Sequence, residues 1–191
     1  MELPERGQSW AELSKGMEDA GKHDVAWRDG KAAVYVFNAG EEVSRVQREA
    51  YALYQAENGL GPAAFPSLKQ MEVDVVQMAL RLLSAPESAG GAMTSGGTDS
   101  ITMAVKAARD AARANGRQEP FNLVLPYSAH LAFDKAAALM DIEIRRVPCK
   151  DYVADVDAMQ RAMDDHTLML VGSAPSFPFG LIDPISDLSR I

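Results

Sequence analysis

The chain has 191 residues, enough for one domain or slightly more. Its 47% hydrophobic content supports a core, and its 24% charged content is that of an ordinary soluble protein. A net charge of −8 argues against nucleic acid or an anionic membrane as a main partner, and the lone Cys149 excludes an intramolecular disulfide and fits a reducing compartment.

No stretch approaches the apolar length of a membrane span, and Met1 to Arg6 has neither the basic nor the apolar region of a signal peptide. A cytoplasmic location is the expectation. His23, His130, His166 and Cys149 show no metal-ligand spacing, so no metal is expected.

In chain order, Ser9 to Asp19 reads as an amphipathic helix with Trp10, Leu13 and Met17 on one face. Ala32 to Phe37 is a short apolar run, either a strand or an extended arm. Glu41 to Ala56 reads as a helix with acidic residues in its first turn, broken by Glu57-Asn58-Gly59-Leu60-Gly61-Pro62. Ser67 to Leu83 is a further helix, with Ser67 as a candidate N-cap.

From there strands and helices alternate. A glycine turn opens a helix over 97–114. Phe121 to Leu125 reads as a buried strand, Ala129 to Met140 as a helix, and Ile142 to Val147 as a half-exposed strand. Val156 to Met163 reads as a helix and Leu168 to Val171 as a strand too apolar for an edge. Such alternation predicts β-α-β crossovers and a mostly parallel sheet. Ligands in such sheets bind beyond the carboxyl ends of strands, where Thr94 to Thr98, Pro126 to His130 and Gly172 to Phe179 fall.

The glycine turn, Met93-Thr94-Ser95-Gly96-Gly97-Thr98-Asp99-Ser100, carries the most chemistry. Glycines let a ligand approach the backbone, and the first N–H groups of a helix have no partner within it. Ser95 and Thr98 add hydroxyls, so the turn has the makings of a phosphate site. The nucleotide P-loop is disfavoured because Gly97 stands where its lysine belongs. A glycine turn without a ligand is the plain alternative. His130 could stack on a planar ring, act as an acid or base, or only hydrogen-bond locally at a helix start. Ser95 lacks the G-x-S-x-G context of a hydrolase elbow, and Asp164-Asp165 reads as a solvated helix end.

Five motifs, in order, resemble the pyridoxal-phosphate-dependent decarboxylase group of fold type I, in particular its sphingosine-1-phosphate lyase family. Gly30-Lys31-Ala32-Ala33-Val34-Tyr35 is similar to S-G-A-V-Y, and Phe65 to Glu72 to F-P-G-L-R-K-M-E. Thr94 to Ser100 is similar to T-S-G-G-T-E-S, Ser128 to Ala136 to S-A-H-A-A-F-N-K-A, and Ser173 to Pro184 to S-T-P-Q-F-P-H-G-V-I-D-P.

The resemblance implies an α/β fold. An N-terminal helical and arm segment, residues 1–64, precedes part of a pyridoxal-phosphate-binding large domain, residues 65–191, with a mostly parallel sheet and flanking helices. It implies pyridoxal 5′-phosphate as cofactor, bound at Ser95, Gly96, Gly97 and Thr98, with His130 stacked on its ring. Tyr35 and Asn58 would line the active site across a homodimer interface, Tyr35 in a catalytic role and Asn58 toward a small-molecule substrate. The implied reaction is retro-aldol cleavage of a phosphorylated long-chain amino alcohol; loss of carbon dioxide from an amino acid is the alternative. The sequence departs from the pattern at Gly61 and Ala63, where the family loop has histidine and an acid, and at Asp99 and Phe179. None of Lys15, Lys22, Lys31, Lys69, Lys106, Lys135 or Lys150 stands in the S-x-x-x-H-K context of the cofactor-bonding lysine. That lysine, and the aspartate paired with the ring nitrogen, are expected in a C-terminal part, in the same or another chain. Without it, a non-catalytic phosphate-binding or interaction module is the remaining reading.

Overall fold

The computed structural model describes residues 5–191, so part of the N-terminal segment read for a signal peptide lies outside the described residues. The chain divides into two compact units, Met1–Met71 and Glu72–Ile191.

In the first unit, helix α1 (Trp10–Ala20) begins in a capping box. Ser9 Oγ accepts the Glu12 N–H at 3.3 Å, and the Glu12 carboxylate accepts the Ser9 N–H at 2.9 Å, satisfying two otherwise orphaned donors. Helix α2 (Glu41–Leu53) stops three residues short of the sequence expectation. The Ala32–Phe37 run forms no strand: Tyr35 has φ +70° and is 89% exposed, and Phe37 is fully exposed. Helix α3 (Pro66–Leu82) runs through the division between the units. Its first residue is Pro66, whose fixed φ suits the first helical turn, so Ser67 lies inside the helix and is not its cap. None of the described residues of α1, α2 or α3 is buried.

The second unit holds the core. Helix α4 (Gly97–Ala114) leads to strand β1 (Asn122–Pro126), helix α5 (Ala132–Leu139) and strand β2 (Glu143–Val147). A small antiparallel hairpin, β3 (Cys149–Lys150) and β4 (Val153–Ala154), precedes α6 (Val156–Ala162), β5 (Thr167–Leu170) and α7 (Ile185–Leu188). The main sheet is parallel in the order β2-β1-β5. The apolar, glycine-flanked segment before the glycine turn forms no strand.

The period-2 geometry of β1 explains the layering. Leu123 and Leu125 join a cluster with Val105 of α4 and Ala136 of α5, whereas Val124 joins Met159 of α6 and Leu188 of α7. Helices therefore cover both faces of β1, and all five of its residues are buried. Each fully buried leucine or valine contributes about 1.5–3 kcal/mol by leaving water. Strand β5, expected to be internal, lies at the edge of the three described strands, because β1 takes the doubly covered centre.

The amino ends of the strands are tied by polar groups. Buried Asn122 donates to Asp164 at 2.8 Å and accepts from Thr167 Oγ1 at 2.8 Å, and Arg145 pairs with Asp164 at 2.7 Å. The Asn122 amide, then the Arg145 guanidinium, hold the Asp164 carboxyl down at about 2. Asp164 is thus a structural anchor at the end of the sheet opposite the strand-end loops.

Candidate functional site

The order β2-β1-β5 sends the chain from β1 to one side and then, through β2 and α6, to the other. That reversal opens a crevice at the carboxyl ends of β1 and β5, the usual binding position in such sheets. A cavity of about 560 Å³ lies there. Its wall comes from the loop after β1 (Tyr127 to Leu131), the loop after β5 (Ser173, Pro175, Phe177 and Pro178) and Ile101 of α4. A largely apolar wall with a few polar groups suits a flat organic ligand.

Both loops are held by specific bonds. The Ala129 N–H closes a turn onto the Pro126 carbonyl at 3.0 Å. After β5, Asp183 is 2% exposed, and its carboxylate accepts the Ser173 N–H at 2.7 Å and the Ala154 N–H at 2.8 Å. The Asp183 N–H donates back to the Ser173 carbonyl at 2.9 Å. A Cβ at Gly172 would lie 2.8 Å from both Ile185 Cδ1 and Leu188 Cδ1, so those side-chain ends would have to shift to admit it. Sequence reading gave Asp183 no role; its position before Pro184 and a helix resembles an ordinary helix start.

Of the arrangements open to it, His130 makes the local bond at the helix start. Its Nδ1 accepts the Ala132 N–H at 3.0 Å, and its side chain helps line the cavity. An accepting Nδ1 carries no proton, so the neutral ring is the Nε2–H tautomer. A ring locked in this way offers a fixed face and one outward donor, and no free basic nitrogen. Two residues earlier, Ser128 lines the same cavity, and its Oγ is buried with no hydrogen-bond partner. Sequence reading passed over Ser128.

The glycine turn is a second feature. Gly96 precedes α4 with φ +156° and ψ 177°, and no side chain caps the helix. Gly97 faces open space: a Cβ there would meet nothing within 4 Å. The turn is braced by a Thr94–Ser100 hydroxyl pair at 2.6 Å. Ser95 directs both its N–H (3.1 Å) and its hydroxyl (3.2 Å) to Asp99. Ser95 and Thr98 line a more open hollow of about 450 Å³ with Thr102 and Lys135, and only Ile101 of α4 reaches the His130 cavity. Lys135 is a cation at this hollow that sequence reading did not use. Tyr35 and Asn58 lie in the first unit, where the Asn58 side-chain oxygen accepts the Leu60 N–H at 3.0 Å in a local turn.

Residues 1–173 match the pyridoxal-dependent decarboxylase conserved domain. Sphingosine-1-phosphate lyase 1 of Rattus norvegicus is 40% identical over 190 residues, covering 99% of this chain and 33% of the relative. A probable L-tyrosine/L-aspartate decarboxylase of Methanothrix thermoacetophila is 38% identical over 143 residues, covering 74% of this chain and 36% of the relative. Among solved structures, the sphingosine-1-phosphate lyase of Burkholderia pseudomallei superposes with a TM-score of 0.91 at 35% identity, over 100% of this chain and 46% of that one. The chain thus spans about a third of the length of the curated relatives it matches.

The residues present fit a pyridoxal phosphate. The uncapped start of α4 and the open space at Gly97 suit a phosphate, whose charge the helix end favours. The locked His130 side chain and the mainly apolar wall around it suit a planar ring.

Proposed function

The chain belongs to the pyridoxal-dependent decarboxylase family, and on that premise we propose that it is the cofactor-binding part of a carbon–carbon lyase acting on a phosphorylated long-chain amino alcohol. The family's cofactor is pyridoxal 5′-phosphate, which when bound supplies an electron sink for cleavage beside the substrate nitrogen. Gly97 and Thr98 bind the phosphate through N–H groups and a hydroxyl, with Gly96 and Ser95 shaping the turn. His130 holds the ring by stacking. The observation that carries this reading is the cavity at the ends of β1 and β5 with the His130 ring locked at its wall, in a chain 40% identical over almost its whole length to a lyase.

The same reading places the cofactor-bonding lysine and the partner of the ring nitrogen in a C-terminal part, on this or another chain. It places Tyr35 and Asn58 at a homodimer interface facing the substrate, Tyr35 in a catalytic role, in a cytoplasmic enzyme. A second reading, an amino-acid decarboxylase, is favoured by the substrate loop, where Gly61 and Ala63 replace the histidine and acid of the lyase pattern.

The test is substrate profiling of the complete protein with pyridoxal phosphate. A long-chain aldehyde released from a phosphorylated sphingoid base supports the lyase. Carbon dioxide released from an amino acid supports the decarboxylase. Neither product, from a protein with all its chains present, makes this a non-catalytic module.

A further inference from the structure

The hairpin of β3 and β4 turns through Asp151 and Tyr152, whose φ values of +52° and +66° both lie in the left-handed region. A two-residue hairpin turn of this kind usually has glycine second, because a Cβ is unfavourable there. Tyrosine stands there instead. Its ring meets Phe179 of the loop after β5, with centroids 5.0 Å apart and planes tilted by 47°. Phe179 is also one of the positions at which the sequence departs from the family pattern. A strained turn that carries a ring across to another loop points to a use for that ring.

The loop after β5 is a wall of the cavity that holds His130, and it contributes Phe177 and Pro178, the residues just before Phe179. It is closed upon itself: the Ser176 N–H donates to the Leu181 carbonyl at 2.8 Å, and the Gly180 N–H to the Ser176 carbonyl at 2.9 Å. Phe177, Pro178 and Phe179 therefore move together. The base of the loop is tied to the hairpin, since Asp183 accepts the N–H groups of both Ser173 and Ala154. The Tyr152–Phe179 contact ties its tip. We propose that Tyr152 is a positioning residue: through Phe179 it sets the Phe177–Pro178 wall against a flat ligand in the cavity. The inference rests on the cofactor reading above. A tilted aromatic pair has a preferred separation and angle, which an aliphatic contact lacks, so it fixes where the wall stands.

The experiment uses the complete protein, stripped of cofactor, with two readouts: thermal unfolding without ligand, and absorbance titration with pyridoxal 5′-phosphate. Tyr152→Gly removes the ring and suits the turn, so the stripped variant should still unfold cooperatively. Its Kd should weaken at least about three-fold, the scale of one aromatic pair. Phe179→Leu should weaken the Kd as much, and Tyr152→Phe, which keeps the ring, should bind as wild type does. Tyr152→Gly combined with Phe179→Leu should bind no more weakly than the worse single variant, since both act through one contact. A smaller loss in Tyr152→Gly, an equal loss in Tyr152→Phe, or additive losses in the double variant overturns the proposal. So does a Tyr152→Gly protein that no longer unfolds cooperatively, because the ring would then be a folding contact. Wild-type protein that shows no saturable binding overturns the cofactor reading and this inference with it. Saturable wild-type binding with an unchanged Tyr152→Gly Kd overturns this inference alone.

Discussion

Arg146 on β2 grips Asp134 on α5 with two guanidinium nitrogens, at 3.3 and 2.5 Å, and donates from the third to the carbonyls of Pro126 and Tyr127. One half-buried side chain thereby ties the end of β1 to the helix that begins just after His130. Arg146→Met removes one of the two donors to the Pro126 carbonyl, the other being the Ala129 N–H, and takes away the Asp134 ion pair. Asp134 is 41% exposed, so water replaces much of its loss, and the Pro126 carbonyl keeps the Ala129 N–H, so the cost is that of lost bonds and not of a stranded acceptor. We expect a destabilisation of about 0.5–1.5 kcal/mol in urea unfolding. Arg146→Lys should recover only part, since an ammonium cannot reproduce the planar fork. A Met variant as stable as wild type would show that the clamp is idle.

Asp164 makes the fold acid-sensitive. Its carboxyl ordinarily titrates near 3.8 and is held at about 2 in the folded protein, first by Asn122 and then by Arg145. The native state therefore binds this proton less readily than the unfolded chain. The stability from the charged form is complete above about pH 4 and disappears as the pH falls through about 2. Asp164→Asn should lower the urea midpoint at pH 6 and flatten its fall between pH 4 and pH 2. Parallel curves for the two proteins in that window would contradict the assignment.

How much of this was legible in the sequence depended on whether the signal was local. Helices α4 and α1 and the parallel β1-β2 pair follow from periodicity, whereas the caps do not: Ser9, read as part of α1, is its N-cap, and Ser67, read as a cap, lies inside α3. The edge position of β5 was not legible, because apolarity reports burial and not which strand takes the centre. That the apolar segment before the glycine turn forms no strand has the same cause: strand formation needs a neighbour with which to pair, which composition does not reveal. His130 and the glycine turn stood out as motifs. Asp183 and Arg146 did not, because their importance lies in partners set by tertiary placement. Arg146 reads in sequence as one charge on an alternating strand.

Gly97 separates folding from binding. It begins α4 in a backbone conformation open to other residues, and an added Cβ meets nothing within the protein. Gly97→Ala should therefore leave unfolding unchanged or raise stability by up to about 1 kcal/mol, through helix propensity. The same methyl group would occupy the space through which a phosphate approaches the helix N–H groups. Pyridoxal 5′-phosphate should bind at least about ten-fold more weakly, a loss of about 1.4 kcal/mol. Equal affinity in absorbance titration would move the phosphate away from the glycine turn.

His130 has two tasks, and two substitutions divide them. Its Nδ1 accepts the Ala132 N–H at the start of α5, and under the proposed function its ring is the stacking surface. His130→Ala removes both, and should cost about 0.5–2 kcal/mol of stability, as the loss of a helix cap does, together with cofactor affinity and turnover. His130→Asn retains a side-chain oxygen that can accept an N–H two residues on, the bond typical of asparagine in turns. It should restore most of the stability while leaving cofactor affinity as poor as in the Ala variant, because no ring is present. Urea unfolding and absorbance titration of both variants read the two effects separately. If Asn restores cofactor binding along with stability, the ring contributes nothing by stacking, and His130 serves only to start the helix.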